Sequence, residues 1–384
     1  MSCYRFKIAI DVDEKKWNDD LIKSTYATFF QTYEYLKSDS KDHFPIFIYV
    51  TDENDSVVGQ LGMQIIGTTM LYSSHFFKKI TKFVSSITKR GIWVYGPIIH
   101  TNDKSKRLEI LQEILNAVDQ IAKQYNLVHV EGQTSPLDLL IDNSYKTIFE
   151  KNHYSKHDFI TYLSDLGDTI DTIWSNVSKK ARGDVTRAQK RNFVAKELET
   201  LDELKQYLIL NQEWAQTKGL VIADPFADID TLWENHLKGR EKFFLAYVDN
   251  KLVSGVRVGC FNGICYTNFV INSYYDSTNL GGTLLTWFVV EWAAKNGMRF
   301  YDFSGGPKPI SESEKHSLLF YKSKWGGKET PYYIFIKSRK KLSYKLYLVL
   351  FALIRNYHNF RMRRVKQKIN KMHTKTITTE IIDT

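Results

Sequence analysis

Between residues 242 and 327 the hydrophobic and polar positions change period several times, and each change predicts an element. FFLAYVDN and KLVSGVRVGC are runs rich in Val and Phe between Asn, Asp and Gly turns, and predict two strands. Phe261-Asn262-Gly263-Ile264 predicts a tight hairpin into a third strand, ICYTNFVIN. After a polar loop, SYYDSTNLGG, the segment TLLTWFVVEWAAKNG repeats apolar residues every three to four positions (Leu284, Leu285, Phe288, Trp292). This predicts a helix that stops at Asn296-Gly297. A short strand, MRFYDFSGG, and the segment LLFYKSKWGG close the stretch.

The chain up to about Asp158 repeats this grammar. MSCYRFKIAI reads as a strand, and DEKKWNDDLIKS starts a helix with acidic residues in its first turn, as the helix dipole favours. PIFIYVTDE and SVVGQLGMQIIGT predict two strands joined at Asn54-Asp55. A long amphipathic helix from Lys104 to Gln124 precedes the strand LVHVEGQTSP. Between the halves, Trp174 to Arg191 predicts a helix interrupted at Gly183, where glycine costs about 1 kcal/mol relative to alanine. A second helix is expected from about Leu201 to Thr217, and no sustained heptads appear.

Length adds a division: 384 residues exceed one ordinary core and predict domains at 1–158 and 159–336, with a tail at 337–384. A hydrophobic content of 43% with 14% aromatics excludes a disordered chain. Charge is uneven. Of the 53 basic residues, 13 fall within 337–375, leaving 40 against 43 acidic residues elsewhere. The basic character therefore belongs to the tail, and a broadly DNA-coating surface is not expected. The tail places an apolar run of nine residues, LYLVLFALI, beside Arg355, Arg361, Arg363, Arg364, Lys366, Lys368 and Lys371. That run falls short of the ~20 residues a spanning helix needs. It suits either a helix in the interface of an anionic membrane or one packed on the second domain with a solvated basic extension.

Three cysteines and no secretory leader before Cys3 point to a reducing, cytoplasmic setting, with the inner face of the membrane as a docking place. Cys260 and Cys265 flank the hairpin as a directly opposed pair. A crosslink is geometrically allowed, but ordinary packing is expected. No Cys/His cluster has zinc spacing, and no metal is expected.

Two motifs carry a family resemblance. Tyr301-Asp302-Phe303-Ser304-Gly305-Gly306, followed by Phe320-Tyr321-Lys322-Ser323-Lys324-Trp325-Gly326-Gly327, resembles y-D-f-G-G and F-K-x-x-F-G. These belong to the FemABX peptidoglycan-bridge aminoacyltransferases and the FemAB-like proteins of surface-polymer synthesis. Phe29 to Lys37 resembles that family's Q-s-x-x-W/Y-x-x-x-K, and Ile92 to His100 its Y-G-P-v-x-D. Lys179, Arg182, Val185, Arg187 and Ala188 match k-x-R-x-x-I-r-k-A. The resemblance spans about residues 4–336. It implies an α/β (α+β) fold of two tandem GNAT-like domains, each a mixed sheet flanked by helices and the first degenerate, with a basic amphipathic C-terminal helix beyond them.

The implied reaction is attack of an amine on an activated acyl group, which needs a stabilised oxyanion and aligned substrates. Lys322 is the candidate cation at the donor ester, although YKSKWGGK also reads as a run of surface lysines. Tyr321, where the family has Phe, keeps a stacking face and adds a hydroxyl. Asp302 either orients the amine or, as the leading expectation, ties down the glycine turn. Tyr95 and His100 fall on the family's acceptor-side tyrosine and acid. A histidine can act as a base near pH 7, but its presence puts the usual stem-peptide acceptor in doubt, and a solvated loop histidine is the alternative. Lys37 matches a lysine that contacts acceptor phosphates. Arg182 and Arg187, with Lys190 and Arg191, could meet a pyrophosphate-linked acceptor or tRNA, a solvated helix face being the default.

Conventional GNAT enzymes bind the acetyl-CoA pyrophosphate at a Q/R-x-x-G-x-G/A turn before a helix. Ser277-Thr278-Asn279-Leu280-Gly281-Gly282 lacks the basic first residue and the glycine spacing. This disfavours acetyl-CoA, which stays the lesser candidate; the resemblance implies aminoacyl-tRNA as the donor, and no resident cofactor is expected. The expected acceptor is a lipid- or nucleotide-linked cell-envelope precursor. A CoA-dependent N-acyltransferase and a non-catalytic membrane-peripheral binding protein are the alternatives.

Overall fold

The structure is a computed structural model that describes residues 3–37, 43–67, 88–218, 222, 224–273, 276, 278–309 and 317–339. Of the C-terminal segment it describes 344, 345, 347–349, 352, 353, 356 and 360, so the basic run beyond residue 360 lies outside the described residues. The first half contains β1 (Arg5–Ala9), β2 (His43–Thr51), β3 (Val57–Ile66), β4 (Arg90–Trp93), β5 (Ile98–Ile99), β6 (His129–Gln133) and β7 (Ser155–Asp165). The second contains β8 (Val194–Glu197), β9 (Glu241–Val248), β10 (Lys251–Phe261), β11 (Ile264–Asn272), β12 (Phe300–Asp302), β13 (Gly306–Pro307) and β14 (Lys328–Ser338). All join one 14-stranded sheet in the order β1-β2-β3-β4-β6-β14-β7-β12-β11-β10-β9-β8, with β5 beside β3 and β13 beside β7.

The two halves repeat one plan. β4 and β6 are parallel and connected through the helix Lys104–Gln124, while β11 and β12 are parallel and connected through the helix Leu280–Lys295. The last strand of each half then crosses over. β7 pairs with β12 of the second half, β14 pairs with β6 of the first, and the two pair with each other from Lys328↔Leu163 to Ile336↔Ser155. The boundary expected after residue 158 thus falls inside β7, and the halves share a continuous ladder. Each crossing strand fills an edge whose backbone groups need partners.

Local signals explain most element ends. The hairpin turn places Asn262 at φ 49° and Gly263 at φ 73°, the left-handed pair that matches strand twist. Asp103 caps the helix Lys104–Gln124 by accepting from the Lys106 N–H, and Ile110, Ile114, Val118 and Ile121 form its buried stripe. The helix Leu280–Lys295 stops where expected, with Gly297 left-handed just beyond its cap. Its burial is wider than a stripe, because the sheet and the helix Lys179–Lys190 both pack on it. Cys260 and Cys265 are directly opposed and both free, their Sγ atoms 3.2 Å apart.

The helix break expected at Gly183 lies elsewhere. One helix ends at Asn176 and the next begins at Lys179, with the Ser178 hydroxyl accepting from the Ala181 N–H and the Ser178 N–H donating to the Lys324 carbonyl. Gly183 sits inside the second helix, where an added Cβ would meet no described residue within 4 Å. With that space, Gly183→Ala is expected to stabilise the protein by up to about 1 kcal/mol, read as a higher urea midpoint at unchanged m-value.

Among the described residues four buried clusters form, and three of them draw on both halves, Ile160 and Tyr162 joining one and Phe335 another. In the third, Trp17, Phe29 and Tyr95 of the first half meet Tyr266 and Tyr332 of the second.

Candidate active site

The centre of the sheet gathers the candidate groups. β12 ends at Asp302, opposite Leu163 of β7 and Tyr266 of β11, and the chain then turns through Ser304 at φ 62° into Gly305-Gly306. One carboxylate oxygen, Oδ1, accepts from the Ser304 N–H at 2.8 Å and from the Thr161 hydroxyl. A side chain that binds the backbone two residues on is a turn-forming device. Gly305 is required by proximity: an added Cβ would lie 2.2 Å from the Ile160 carbonyl oxygen of β7.

Asp302 is fully buried, and among the described residues its Oδ2 meets no hydrogen-bond partner. Burial pushes its pKa up to about 6, against the stabilising pull of Thr161, the Ser304 N–H, the Tyr95 phenol and the Lys322 ammonium. Lys322 stands near the end of the short helix Ser317–Ser323, and its Nζ donates to the Ser304 carbonyl at 2.9 Å. Burial lowers its pKa, while Asp302 raises it. The carboxylate and the ammonium thus hold each other's charge across one turn of chain. Tyr95, itself left-handed at φ 50°, reaches this group from the first half, its ring 5.7 Å from Tyr266 and 5.6 Å from Tyr332. Its phenol pKa is driven well up by burial and then by the Asp302 charge.

Asp302, Lys322 and Tyr95 therefore come together. The other expected site residues go elsewhere. The Tyr321 hydroxyl pairs with Thr286 at 2.9 Å, so the group added relative to Phe is taken up against the helix Leu280–Lys295. His100 pairs through Nε2 with Gln60 at 3.1 Å and lines a cavity of about 450 Å³ with Lys23, Ser24, Tyr26 and Asp138. Burial pulls its pKa down to about 4, so near neutral pH it is uncharged and a weak base. Arg182 donates to the Trp174 and Ser175 carbonyls and so closes the end of the preceding helix. Arg187 pairs with Asp184 on the surface, and Lys37 pairs with Asp11 at 2.9 Å. Gln31 of the entry segment is a structural clamp, donating to the Gly62 and Val94 carbonyls and accepting from the Gly62 N–H.

Thr161, Tyr266 and Tyr332 escaped the reading of the sequence. They sit in ordinary alternating strands, and only the pairing of β12 with β7 and β11, and of β7 with β14, brings them to Asp302.

The start of the helix Leu280–Lys295 is already occupied. Asp276 accepts from the Gly281 N–H at 2.8 Å and from the Thr278 hydroxyl at 2.7 Å. Gly282 is small for packing, since an added Cβ would lie 2.4 Å from Asn272 Oδ1.

No family model and no curated protein sequence matches the chain. Solved structures do. A crystal structure of FemX superposes with a TM-score of 0.66 at 14% identity, covering 88% of this chain and 99% of that one. A tandem GNAT protein from the clavulanic acid biosynthesis pathway gives 0.55 at 12% identity, covering 87% and 98%. The chain has the FemX-like tandem GNAT fold. The C-terminal domain of a putative lysylphosphatidylglycerol synthetase from Agrobacterium fabrum also shares it, with a TM-score of 0.51 at 11% identity over 87% and 94%. In this tandem GNAT fold the Asp302–Lys322 pair lies at the C-terminal end of the parallel strand β12, and Asp276 guards the start of the helix before it.

Proposed function

We propose that the protein is an N-acyltransferase whose donor is an aminoacyl-tRNA and whose acceptor is an amine on a cell-envelope precursor. The observation that carries this reading is the half-buried Lys322 ammonium, donating to the Ser304 carbonyl beside the fully buried Asp302 at the junction of the two halves, with Tyr95 supplied across it. In the transfer, the amine nitrogen bonds to the ester carbonyl carbon, the carbonyl oxygen becomes negative, and the C–O bond to the ribose then breaks, the leaving oxygen taking the proton shed by the amine. A fixed ammonium in a water-poor site stabilises the developing oxyanion. Asp302 acts through Lys322 as a positioning residue: it keeps the lysine charged and pins the Ser304 turn to which that lysine donates.

Asp276 supports tRNA over CoA as donor. A pyrophosphate held by helix N-terminal amides needs them free, and here a carboxylate takes the Gly281 amide and brings negative charge. Titration of the purified protein with charged tRNA, uncharged tRNA and acetyl-CoA, at low and at about 0.15 M salt, tests the reading. The expected result is a preference for charged tRNA that survives the higher salt. Saturable acetyl-CoA binding without tRNA preference would favour a CoA-dependent enzyme. Binding of none of them would favour the non-catalytic reading.

A further inference from the structure

The start of the C-terminal segment has two faces with different fates. Residues 344, 345, 347–349, 352, 353, 356 and 360 are helical. Tyr347 is buried: the Arg90 guanidinium donates to its hydroxyl at 2.9 Å, and its ring lies 4.6 Å from that of His129. Packing on the first half thus occupies one face. Leu348, Val349 and Leu353 are 46%, 56% and 59% exposed. At 3.6 residues per turn these three fall on one arc, turned away from Tyr347 and shared with the exposed Lys345. A helix face meant for water carries polar residues there. This one carries aliphatic side chains within an apolar run of nine.

Charge names the occupant. No acidic residue occurs from 330 to 379, while 13 basic ones lie within 337–375, and the remainder of the chain carries slightly more acidic than basic residues. A second copy would bring the same positive charge to the same face. A nucleic acid would match the charge but leave the aliphatic arc in water. An anionic bilayer satisfies both, since its headgroups attract the basic residues and its acyl boundary takes the aliphatic side chains. The run is too short to span, and no helix among the described residues is long and apolar enough to cross a membrane. We infer that the face bearing Leu348, Val349 and Leu353, with the basic residues after it, docks on an anionic lipid surface. The inference stands on the tail alone and does not depend on the acyl-transfer reading.

Co-sedimentation of the full chain with phosphatidylcholine vesicles, with and without about 30% phosphatidylglycerol, provides the test. Binding is expected only with the anionic lipid, and is expected to weaken as salt rises from about 0.1 to about 0.5 M. The double variant Leu348→Asp/Leu353→Asp, and separately Arg361→Glu/Arg363→Glu/Arg364→Glu, should each reduce binding at least ~10-fold. Because the leucines are exposed, circular dichroism and Tm should not move, and the milder Leu348→Ser/Leu353→Ser variant repeats the test should the aspartates disturb folding. Equal binding to both vesicles, or undiminished binding by a folded leucine variant, overturns the inference. So does uncharged tRNA that binds the tail tightly and displaces the protein from vesicles regardless of the leucines.

Discussion

Lys322→Met is expected to cut the rate of acyl transfer by roughly 10²- to 10³-fold, with little change in KM for either substrate. That range is typical for removing one preorganised donor to an oxyanion. The loss should fall on kcat because the charge is needed chiefly when the carbonyl oxygen becomes negative. Methionine keeps the unbranched apolar stem of lysine as far as Cε but cannot donate to the Ser304 carbonyl, now 2.9 Å from Nζ. The Ser304 turn should persist, because Asp302 and the Thr267 carbonyl also hold it. Steady-state kinetics with the identified substrates, alongside Tm, make the measurement. A folded Lys322→Met variant with full activity would remove the oxyanion role and return the residue to the surface lysines of its segment.

Asp302→Asn should act through the same lysine and show it in the pH profile. The Asp302 charge raises the pKa of Lys322 against burial, so removing it lets that pKa fall further. The alkaline limb of kcat should therefore move to lower pH, and activity near neutrality should drop by an amount that grows with pH. In the unaltered protein the acid limb should lie near the Asp302 pKa of about 6, and the variant should lose it. Stability carries an independent sign. The folded state holds the Asp302 proton more tightly than an unfolded chain does, because burial raises the folded pKa. This group's contribution is fully favourable below the ordinary carboxylate range and is lost as pH rises to about 6. Asp302→Asn should remove that component of the pH dependence of the urea midpoint. A variant that lowers activity uniformly across pH would leave Asp302 only its part in the turn.

His100, Lys37, Arg182 and Arg187 each have a local partner that accounts for their position: Gln60, Asp11, two helix-end carbonyls and Asp184. Their motif positions match a family pattern, yet among the described residues none shares a partner with Asp302 or Lys322. The Asp302 turn is the reverse case, since its buried polar groups are in excess of what packing requires.

The sequence by itself determined the elements with strong periodicity and punctuation. The helix Lys104–Gln124, the Asn262-Gly263 hairpin and the end of the helix at Asn296-Gly297 depend on contacts a few residues apart, so their signals lie within one window. It also determined the tandem plan, because each half repeats the same order of strands and helices. Tertiary structure alone decided the exchange of β7 and β14 between the halves, the placing of Thr161 against Asp302, and the meeting of Tyr95 with Lys322 around one carboxylate. It also moved the helix break from Gly183 to Ser178, through a bond to the distant Lys324 carbonyl. The physical reason is the same in each case. Alternation shows which residues a strand buries, but not which edge it joins, and the charge of a carboxyl depends on what that edge brings to it.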